Sequence, residues 1–509
     1  MNPTFKVFRS GEQIAEVQTS SGENILAALS SSDIFLDAPC GGRGSCGKCK
    51  VRLSPDGEEV KACQTTAEDG MSVYLPAKMD MEIAGQTGAK SAASLTGDFG
   101  VAIDIGTTTV VAHLTSLKTS ERVATASGVN AQRPYGADVV SRIEYSMASG
   151  HEALTRLIQV QINTLINDAC TKAGISPQRV TYISIAGNTI MQHLAAGYSP
   201  AGMGTVPFEP VSMFGGELPV WDGLPTAENT KIYYAPCISS YVGGDITAGL
   251  LACDLQDDAG PTVFIDIGTN GEIAAKIGDK YLCCATAAGP AFEGAEISHG
   301  MAAISGAISH VRWENGGLRL TVVGAAEPEG LCGSGLLDAL ALLLDTGAVD
   351  ETGRLLDVDE YEHPIREHIG KVDGKNAFFL TDKRDVCLTA ADIRKLQLAK
   401  AAISAGIWTL LVTENIEPED VKTFILAGGF GSYLDRDSAA RIGLFPKEFL
   451  PVTRGMGNTA GEGAALTLIS EHNRELLESI RQRCDYVELS DSLVFNEQFV
   501  EQMMFEENE

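Results

Sequence analysis

Polar and apolar residues alternate along the first part of the chain in a pattern typical of β-strands. The alternation around a Ser10-Gly11 turn predicts a hairpin, and the residues after it predict a short helix and two more strands. These elements lie at residues 3–19, 24–29, 51–53 and 71–75. Two strands, a helix and further strands predict a small β-grasp domain over residues 1–77.

The pattern changes twice after this domain. Residues 78–97 are rich in Gly, Ala, Ser and Lys, which predicts a flexible linker. From residue 98 onward, long apolar strands, glycine turns and amphipathic helices alternate, and this alternation is typical of an α/β body.

A repeated sequence motif divides the α/β body into two parts. Residues 101–108 recur as residues 264–271, and this spacing is far too long for a solenoid repeat. The repeated motif predicts two related subdomains, with one loop from each meeting in a cleft. We place the subdomains at residues 98–260 and 261–470, followed by an acidic C-terminal segment at 471–509.

Composition narrows the classes of function. The 509 residues carry a formal net charge of −29, and a surface this acidic repels phosphate backbones, so no nucleic acid partner is expected. The sequence has no apolar run long enough to predict a membrane span, and its N-terminus lacks the pattern of a signal peptide. We therefore expect a cytoplasmic protein with no membrane partner. The acidic segment fits either a solvated helix or a docking surface for a basic patch.

Twelve cysteines are present, and four of them lie in one short glycine-rich stretch. Cys40, Cys46, Cys49 and Cys63 have the spacing C-x5-C-x2-C-x13-C. Disulfides are rare in cytoplasmic proteins, and four thiolates are the ligands of a [2Fe–2S] cluster. Zinc sites generally use two close cysteine pairs, so zinc is the weaker alternative. The other eight cysteines are scattered, as small buried side chains usually are.

The cysteine spacing resembles that of plant-type and adrenodoxin-type ferredoxins, with one extra residue in the first gap and a nearer fourth cysteine. The resemblance implies an N-terminal [2Fe–2S] ferredoxin domain that accepts and delivers single electrons. Such a domain cannot transfer hydride by itself.

Three glycine-containing elements of the body predict a nucleotide site. Glycines permit tight turns, hydroxyls and backbone amides can hold a phosphate, and an acidic residue at a strand end can hold Mg2+ through water. In the third element the glycines would let adenine or ribose approach the backbone. In chain order, the residues are Asp104, Gly106, Thr107, Thr108 and Thr109, then Asp266, Gly268, Thr269, Asn270 and Gly271, then Gly428, Gly429 and Gly431.

Two Asp-x-Gly-Thr loops and a later strand with a Gly-Gly pair, in that order, resemble the superfamily of actin, Hsp70 and sugar kinases. The resemblance implies a two-lobed nucleotide-binding body that uses ATP and Mg2+. Candidates for its connecting helices lie at residues 185–190 and 457–465. A body that kept the fold and lost ATP hydrolysis is the alternative. No Walker-type P-loop sequence is present.

Several acidic residues are candidates for catalysis in this body. Asp104 and Asp266 would hold the metal through its water, with a structural turn cap as the alternative. Glu293 would contact Mg2+ or orient water, unless it only complements a helix N-terminus. Asp138 and Asp245 follow glycines and would line the cleft.

A ferredoxin domain joined to an actin-like ATPase resembles the reductive activators of corrinoid enzymes, which restore inactive Co(II) corrinoid to Co(I). Four further blocks carry this resemblance, at residues 136–143, 242–249, 288–294 and 331–338. It implies ATP-dependent one-electron reduction of a partner corrinoid protein in a methyl-transfer system, with electrons from a low-potential donor. The extra domain of some relatives and the C-terminal [4Fe–4S] cysteines of archaeal ones are missing here. A homodimer is left open.

Two other functions stay open at this point. The chain resembles, more distantly, the ATP-driven electron donors of 2-hydroxyacyl-CoA dehydratases, although those hold a [4Fe–4S] cluster with fewer cysteines per chain. It also fits a non-enzymatic redox-sensing module in which the cluster sets nucleotide affinity. His193 and His299 are candidate cobalt ligands, but a lone histidine is more often structural.

Overall fold

The computed structural model describes residues 2–9, 11–32, 34, 36, 42, 44, 49–55, 57–76, 98–255, 260–431 and 434–506. Cys40, Cys46 and the predicted linker, 78–97, lie outside the described residues. The chain forms two compact units, one up to Tyr234 and one from Ala235 onward, with Phe214–Gly216 belonging to the second.

The N-terminal domain is a five-stranded sheet of order β2-β1-β5-β3-β4 with one helix, as the alternation predicts. Strand β1 pairs antiparallel with β2 and parallel with β5, which is the β-grasp arrangement. Phe5, Val7 and Val73 are at most 1% exposed and form its core. The elements are β1 Thr4–Arg9, β2 Glu12–Gln18, α1 Ile25–Ser31, β3 Lys50–Arg52, β4 Glu59–Lys61 and β5 Ser72–Leu75.

The rest of the first unit is a six-stranded sheet of order β10-β11-β9-β6-β7-β8 with helices packed on it. Strands β6, β7 and β8 form an antiparallel meander, and β9 runs parallel to β6. The elements are β6 Phe99–Ile105, β7 Thr109–Ser116, β8 Arg122–Val129, α2 Val139–Ser149, α3 Glu152–Ala173, β9 Val180–Gly187, α4 Thr189–Ala196, β10 Gly216–Leu218 and β11 Lys231–Tyr234.

The second unit contains a six-stranded sheet of order β22-β21-β12-β13-β14-β23 and two three-stranded sheets, β16-β15-β17 and β18-β19-β20. Its elements are α5 Gly244–Ala252, β12 Thr262–Ile267, β13 Gly271–Ile277, β14 Lys280–Thr286, β15 Ala307–Glu314, β16 Gly317–Val322, β17 Gly330–Leu331, α6 Gly333–Asp345, β18 Ile369–Val372, β19 Lys375–Phe379, β20 Cys387–Thr389, α7 Ala390–Thr413, β21 Thr423–Ala427, α8 Gly428–Gly431, α9 Arg436–Arg441, β22 Thr453–Gly457, α10 Thr459–Ile469, α11 Glu471–Gln482, β23 Cys484–Tyr486 and α12 Leu493–Glu501.

The repeated sequence motif corresponds to a repeated topology. The order β11-β9-β6-β7-β8 in the first unit matches β22-β21-β12-β13-β14 in the second, with the same parallel and antiparallel pairings. The predicted two-lobed α/β body is therefore confirmed. In both lobes the Asp-x-Gly-Thr sequence follows the central strand at the turn into its antiparallel neighbour.

Two local predictions differ from the structure. Of the candidate connecting helix at 185–190, the first three residues belong to strand β9, and α4 begins only at Thr189. The apolar run is a buried strand, and a Cβ at Gly187 would lie 2.7 Å from the carbonyl oxygen of Ile105. Within the acidic C-terminal segment, β23 pairs with β14 as the sixth strand of the sheet, and α12 packs on α7.

Helix α7 is long and apolar enough to cross a membrane by length and composition. However, 78% of its apolar window is buried inside the fold, where it packs against β13 and β14.

Helices α5 and α10 pack together closely because small residues line their contact. A Cβ at Gly463 would overlap the carbonyl oxygen of Ala248, and one at Gly249 would lie 3.0 Å from the Thr459 hydroxyl oxygen. The contact holds the start of α5, which carries Asp245, against the second-unit sheet through Phe264.

We expect Gly463→Ala to destabilise the second unit, because the added methyl group must push the α5 backbone away. Overpacking of this kind costs about 1–3 kcal/mol. Urea unfolding followed by circular dichroism would show a lower midpoint for this variant. Gly317→Ala is the matched control, since a Cβ at Gly317 meets no atom within 4 Å among the described residues. Equal midpoints for the two variants would contradict the packing argument.

Candidate iron–sulfur and nucleotide sites

The β3–β4 hairpin brings two of the four predicted cluster cysteines together. The register pairs Lys50 with Lys61, and the amide of Ala62 donates to the carbonyl oxygen of Cys49 at 2.8 Å. Cys49 precedes β3 and Cys63 follows β4, and both are buried, at 1% and 8% exposure. The short gap before the fourth cysteine is therefore spanned by one hairpin.

The returning strand also contacts the glycine-rich loop that carries the other cysteines. The Lys61 ammonium donates to the carbonyl oxygen of Gly44 at 3.2 Å. Gly44 has a φ of +79°, and a Cβ there would overlap the Gln64 side chain, so the loop and the Cys63 turn are in close contact. Two buried thiols beside a closely applied glycine loop fit a [2Fe–2S] cluster, and the assignment of all four ligands remains a prediction.

The first Asp-x-Gly-Thr loop is a tight turn between β6 and β7. The Gly106 amide donates to the carbonyl oxygen of Thr109 at 2.9 Å, and a Cβ at Gly106 would lie 2.8 Å from that oxygen. The Asn130 side-chain amide donates to the Gly106 carbonyl oxygen at 2.8 Å. Only glycine fits at position 106, and Asn130, which lies outside the loop, holds the loop in this conformation.

Two further side chains hold Thr107 within this loop. Arg142 is fully buried and donates to the Thr107 carbonyl oxygen at 2.6 Å and to that of Gly136 at 3.0 Å. The Asn188 amide donates to the Thr107 hydroxyl oxygen at 3.1 Å, which leaves the hydroxyl proton available to a ligand. The sequence did not indicate Arg142 or Asn188 as loop supports. Their only signal was that both lie in sequence blocks already noted.

Asp138 caps a helix. Its carboxylate accepts from the Ser141 amide at 2.7 Å and from the Ser141 hydroxyl at 2.6 Å, and this capping box starts α2. Capping of α2 is a structural role that accounts for an aspartate at this position. The predicted place of Asp138 in a cleft stays a prediction.

The second loop occupies the same place in its sheet as the first but is one residue shorter, since Ile267 pairs with Gly271 whereas Ile105 pairs with Val110. The Gly268 amide donates to the carbonyl oxygen of Asn270 at 2.9 Å. The Thr269 hydroxyl donates to the Glu293 carboxylate at 2.8 Å, so Glu293 lies beside this loop, and its action on Mg2+ or water stays a prediction. A Cβ at Gly271 would lie 2.8 Å from the Thr286 hydroxyl oxygen, which explains the glycine that begins β13.

Two carboxylates lie side by side next to the second loop. Asp266 on β12 and Glu272 on β13 are register partners in the sheet, and Glu272 is 8% exposed. Burial raises the pKa of Asp266 from 3.8 to about 6. Burial, followed by the charges of Asp245 and Asp266, raises the pKa of Glu272 well above its ordinary value. Three acidic groups therefore concentrate negative charge at this point.

Glu272 was missed by the sequence reasoning. The only signal was its place directly after Gly271, where it pairs with Asp266 once the hairpin forms. The negative charge also affects the thiol of Cys253, because burial and the Asp266 carboxylate raise its pKa to about 12. A divalent cation would lower the energy of all three carboxylates.

The carboxylates suit a hydrated cation better than a bare one. Among the described residues, no group of three His, Cys, Asp or Glu side chains is arranged to ligate a metal directly. Mg2+ retains several waters and usually binds through few carboxylates and substrate phosphates. The donor set is therefore compatible with Mg2+ held through water.

The third element forms a short helix, α8, where the sequence predicted a glycine turn. Gly428 has a φ of +84°, and a Cβ there would overlap the Asp266 carboxylate. Gly429 is exposed, and a Cβ there meets nothing within 4 Å among the described residues. The Phe430 ring stacks on Phe292 at 5.6 Å between centroids, which joins α8 to the loop that contains Glu293.

His193 has a structural role. Its Nδ1 lies 2.7 Å from the Thr189 carbonyl oxygen, and its Nε2 accepts from the amides of Val211 and Ser212 at 3.1 and 3.2 Å. Burial lowers its pKa to about 4. His299 has its Nδ1 engaged with the backbone of Cys387.

Comparison with known proteins agrees with this architecture. Residues 260–509 match the family described as the C-terminal domain of RACo, the ASKHA domain, and residues 99–258 match the RACo middle region. Residues 9–68 match the 2Fe-2S iron-sulfur cluster binding domain.

Individual relatives match over most of the chain. The corrinoid activation enzyme RamQ of Eubacterium limosum is 30% identical over 97% of this chain and 98% of its own length. The [Co(II) methylated amine-specific corrinoid protein] reductase of Methanosarcina barkeri is 26% identical over 78% of this chain and 75% of its own length. A solved reductive activator for corrinoid,iron-sulfur protein superposes with a TM-score of 0.72 at 29% identity and covers 98% of both chains.

The fold and the matched domains define an iron–sulfur protein with an N-terminal ferredoxin domain and an ASKHA body. The chain belongs to the RACo family of corrinoid-protein activators.

We expect Asp266→Asn and Glu272→Gln to stabilise the nucleotide-free chain at pH 7.5. The raised pKa of Asp266 is a penalty that is absent below pH 3.8 and complete above about pH 6. The neutral amide avoids this penalty, so the gain should be about 1–3 kcal/mol. Thermal unfolding without nucleotide measures it. Asp279→Asn, in the exposed β13–β14 turn, should change nothing.

We expect Mg-ATP to stabilise the wild-type chain and the same variants to lose this gain. If Asp266→Asn and Glu272→Gln lowered the stability of the nucleotide-free chain, these carboxylates would be structural and the site assignment would be wrong.

Proposed function

We propose that this chain performs ATP-dependent one-electron reduction of Co(II) corrinoid to Co(I) on a partner protein of a methyl-transfer system. The single observation that carries the proposal is the combination, in one chain, of a ferredoxin domain with two Asp-x-Gly-Thr turns, one of which adjoins the paired carboxylates of Asp266 and Glu272. A cluster alone needs no nucleotide site, and a kinase needs no cluster.

The two loops would divide the work on the nucleotide. In the first, the Gly106 turn would present backbone amides and the hydroxyls of Thr107, Thr108 and Thr109 to phosphate oxygens. In the second, Thr269 and Asn270 would do the same, and Gly428, Gly429 and Gly431 would accept the adenosine. This assignment is supported by the equivalent positions of the two turns, each of which joins the central strand of its sheet to the antiparallel neighbour.

The acidic residues would handle Mg2+ and water. Asp104 and Asp266 would hold the waters of the cation, with Asp245 and Glu272 adding negative charge behind them. Glu293 would orient the attacking water, and its bond from Thr269 supports a place beside the phosphates. The raised pKa of Asp266 and Glu272 supports this role, since buried carboxylates favour a cation.

The ferredoxin domain would supply the electron, because a [2Fe–2S] centre of this type exchanges one electron at low potential. Cys40, Cys46, Cys49 and Cys63 would hold it, and a low-potential donor would reduce it. The cobalt is the substrate and stays on the partner. The relative that is named for methylated amines supports a methyl-transfer system as the setting.

The direct experiment follows the Co(II) absorption of a corrinoid protein that is mixed anaerobically with the reduced chain. We expect Co(I) to form with Mg-ATP and not without it. Asp104→Ala and Asp266→Ala should lower the ATP-dependent rate about 10²–10³-fold, the size of effect seen when one transition-state contact is removed. Their reduced cluster should keep its spectrum.

Two control variants distinguish loss of electron transfer from loss of nucleotide binding. Cys63→Ser should lose the cluster signal and the reduction of cobalt but still bind ATP. Asp279→Asn should behave as wild type. Cobalt reduction at the full rate without ATP would refute the proposal, and failure with every corrinoid protein tested would favour another acceptor, such as a 2-hydroxyacyl-CoA dehydratase.

A further inference from the structure

The block at residues 331–338 has no part in the nucleotide loops, and the structure shows what it does. It forms the first turns of α6 and clamps this helix to strand β15. The Ser334 hydroxyl donates to the Ser309 carbonyl oxygen at 2.9 Å, and a Cβ at Gly335 would overlap the carbonyl oxygen of Ile308. The close approach delivers Asp338, at the end of the block, to β15.

Asp338 fixes the orientation of His310. Its side chain is fully buried, and its Oδ2 accepts from the Val311 amide at 3.3 Å and lies 3.0 Å from His310 Nδ1. Because a carboxylate can only accept hydrogen bonds, Nδ1 is the donor and carries the hydrogen. His310 Nε2 faces away from Asp338, and no residue within the described ranges forms a hydrogen bond with it. The imidazole side chain is 39% exposed.

Arg312 lies two residues further along the same strand. Its guanidinium contacts the Asp435 carboxylate at 2.5 Å and lies 3.9 Å from Asp338 Oδ1. That buried oxygen accepts no hydrogen bond from the described part of the chain. A buried acceptor without a hydrogen bond lowers the stability of the fold. The position of Asp338 between His310 and Arg312 therefore has a cost in folding free energy. The arginine side chain is 44% exposed.

The pair lies close to the third nucleotide element. Asp435 follows Gly431 by four residues, and Gly333, at the start of α6, lies directly against the Phe430 ring of α8. Five residues of helix separate Gly333 from Asp338, which is roughly 7.5 Å at 1.5 Å per residue. This is about the length of a nucleoside.

We propose that His310 and Arg312 form a nucleoside-recognition subsite of the nucleotide site. His310 Nε2 accepts a hydrogen bond from the nucleoside, and the planar guanidinium of Arg312 packs on the purine face. The hydrogen-bond donor is either the ribose 2′-hydroxyl or the amino group of adenine. The inference rests on the proposed function, because it takes the Gly428–Gly431 element as the adenosine site.

The test is calorimetric titration of the full chain with Mg-ATP, Mg-2′-deoxyATP and Mg-ITP. The deoxy analogue lacks the ribose hydroxyl, and ITP has a carbonyl oxygen in place of the amino group. We expect the wild-type chain to bind one analogue about 10-fold more weakly than ATP, since one hydrogen bond to a polar site is lost. His310→Ala should bind ATP and that analogue equally. Arg312→Met should weaken all three about 10-fold.

Arg354→Met is the matched control, because Arg354 is an exposed arginine beyond the C-terminal end of α6 and pairs with Asp350 and Glu360. It should leave all three affinities unchanged. Asp338→Asn should reduce the discrimination as His310→Ala does, since an amide can donate to Nδ1 and change the tautomer.

The ratio of affinities is the decisive readout, because general damage to the fold would weaken all nucleotides alike. Discrimination that persists in His310→Ala, or a wild-type chain that does not distinguish the nucleotides, would overturn the subsite. A wild-type chain that binds no nucleotide at all would refute the proposed function as well.

Discussion

The organisation of the second unit depends on two carboxylates that share one small space. The β12–β13 hairpin brings together Asp266, which is half-buried, and Glu272, which is buried, and Gly428 lies directly against Asp266. Desolvation raises the pKa of both carboxyl groups, and the charges of Asp245 and Asp266 raise that of Glu272 further. At neutral pH this pair lowers the stability of the folded chain, and binding of a hydrated cation with a nucleotide would restore that stability.

Several glycines of the second unit occur where two elements approach too closely for a side chain. Gly428 passes so close to Asp266 that a side chain would overlap it. Gly463 lets α10 approach α5, the helix that carries Asp245, and the charge of Asp245 acts on Glu272. Gly333 allows Phe430 and Phe292 to stack over the start of α6. These three glycines are therefore explained by close approaches at Asp266, between α5 and α10, and at the start of α6.

Much of this arrangement was predictable from the sequence. The β-grasp domain, the two lobes and the turns after Asp104 and Asp266 depend on local patterns, namely alternation, turn glycines and a repeated motif. These patterns act over a few residues and are visible in any single chain. The strand end that was predicted as a helix at 185–190 shows the limit, because a short buried apolar run fits both structures.

The residues that sequence reasoning missed act through strand register or through contacts between elements, which no local motif shows. Glu272 gains its meaning only from its register with Asp266, and Arg142 reaches the Thr107 carbonyl oxygen from α2. Asp338 supports His310 from 28 residues away. Such partners are chosen by packing between elements, and no local pattern in one sequence specifies them.

The central claim is that Mg-ATP neutralises the buried carboxylates of the second unit, and proton release tests it most directly. Because the pKa of Asp266 is raised to about 6, part of its population carries a proton at pH 6, and a bound cation should expel it. Calorimetric titration at pH 6 in buffers of different ionisation enthalpy counts the protons released. The account predicts net release on binding Mg-ATP and much less in Asp266→Asn. Binding without proton release, or with uptake, would contradict it.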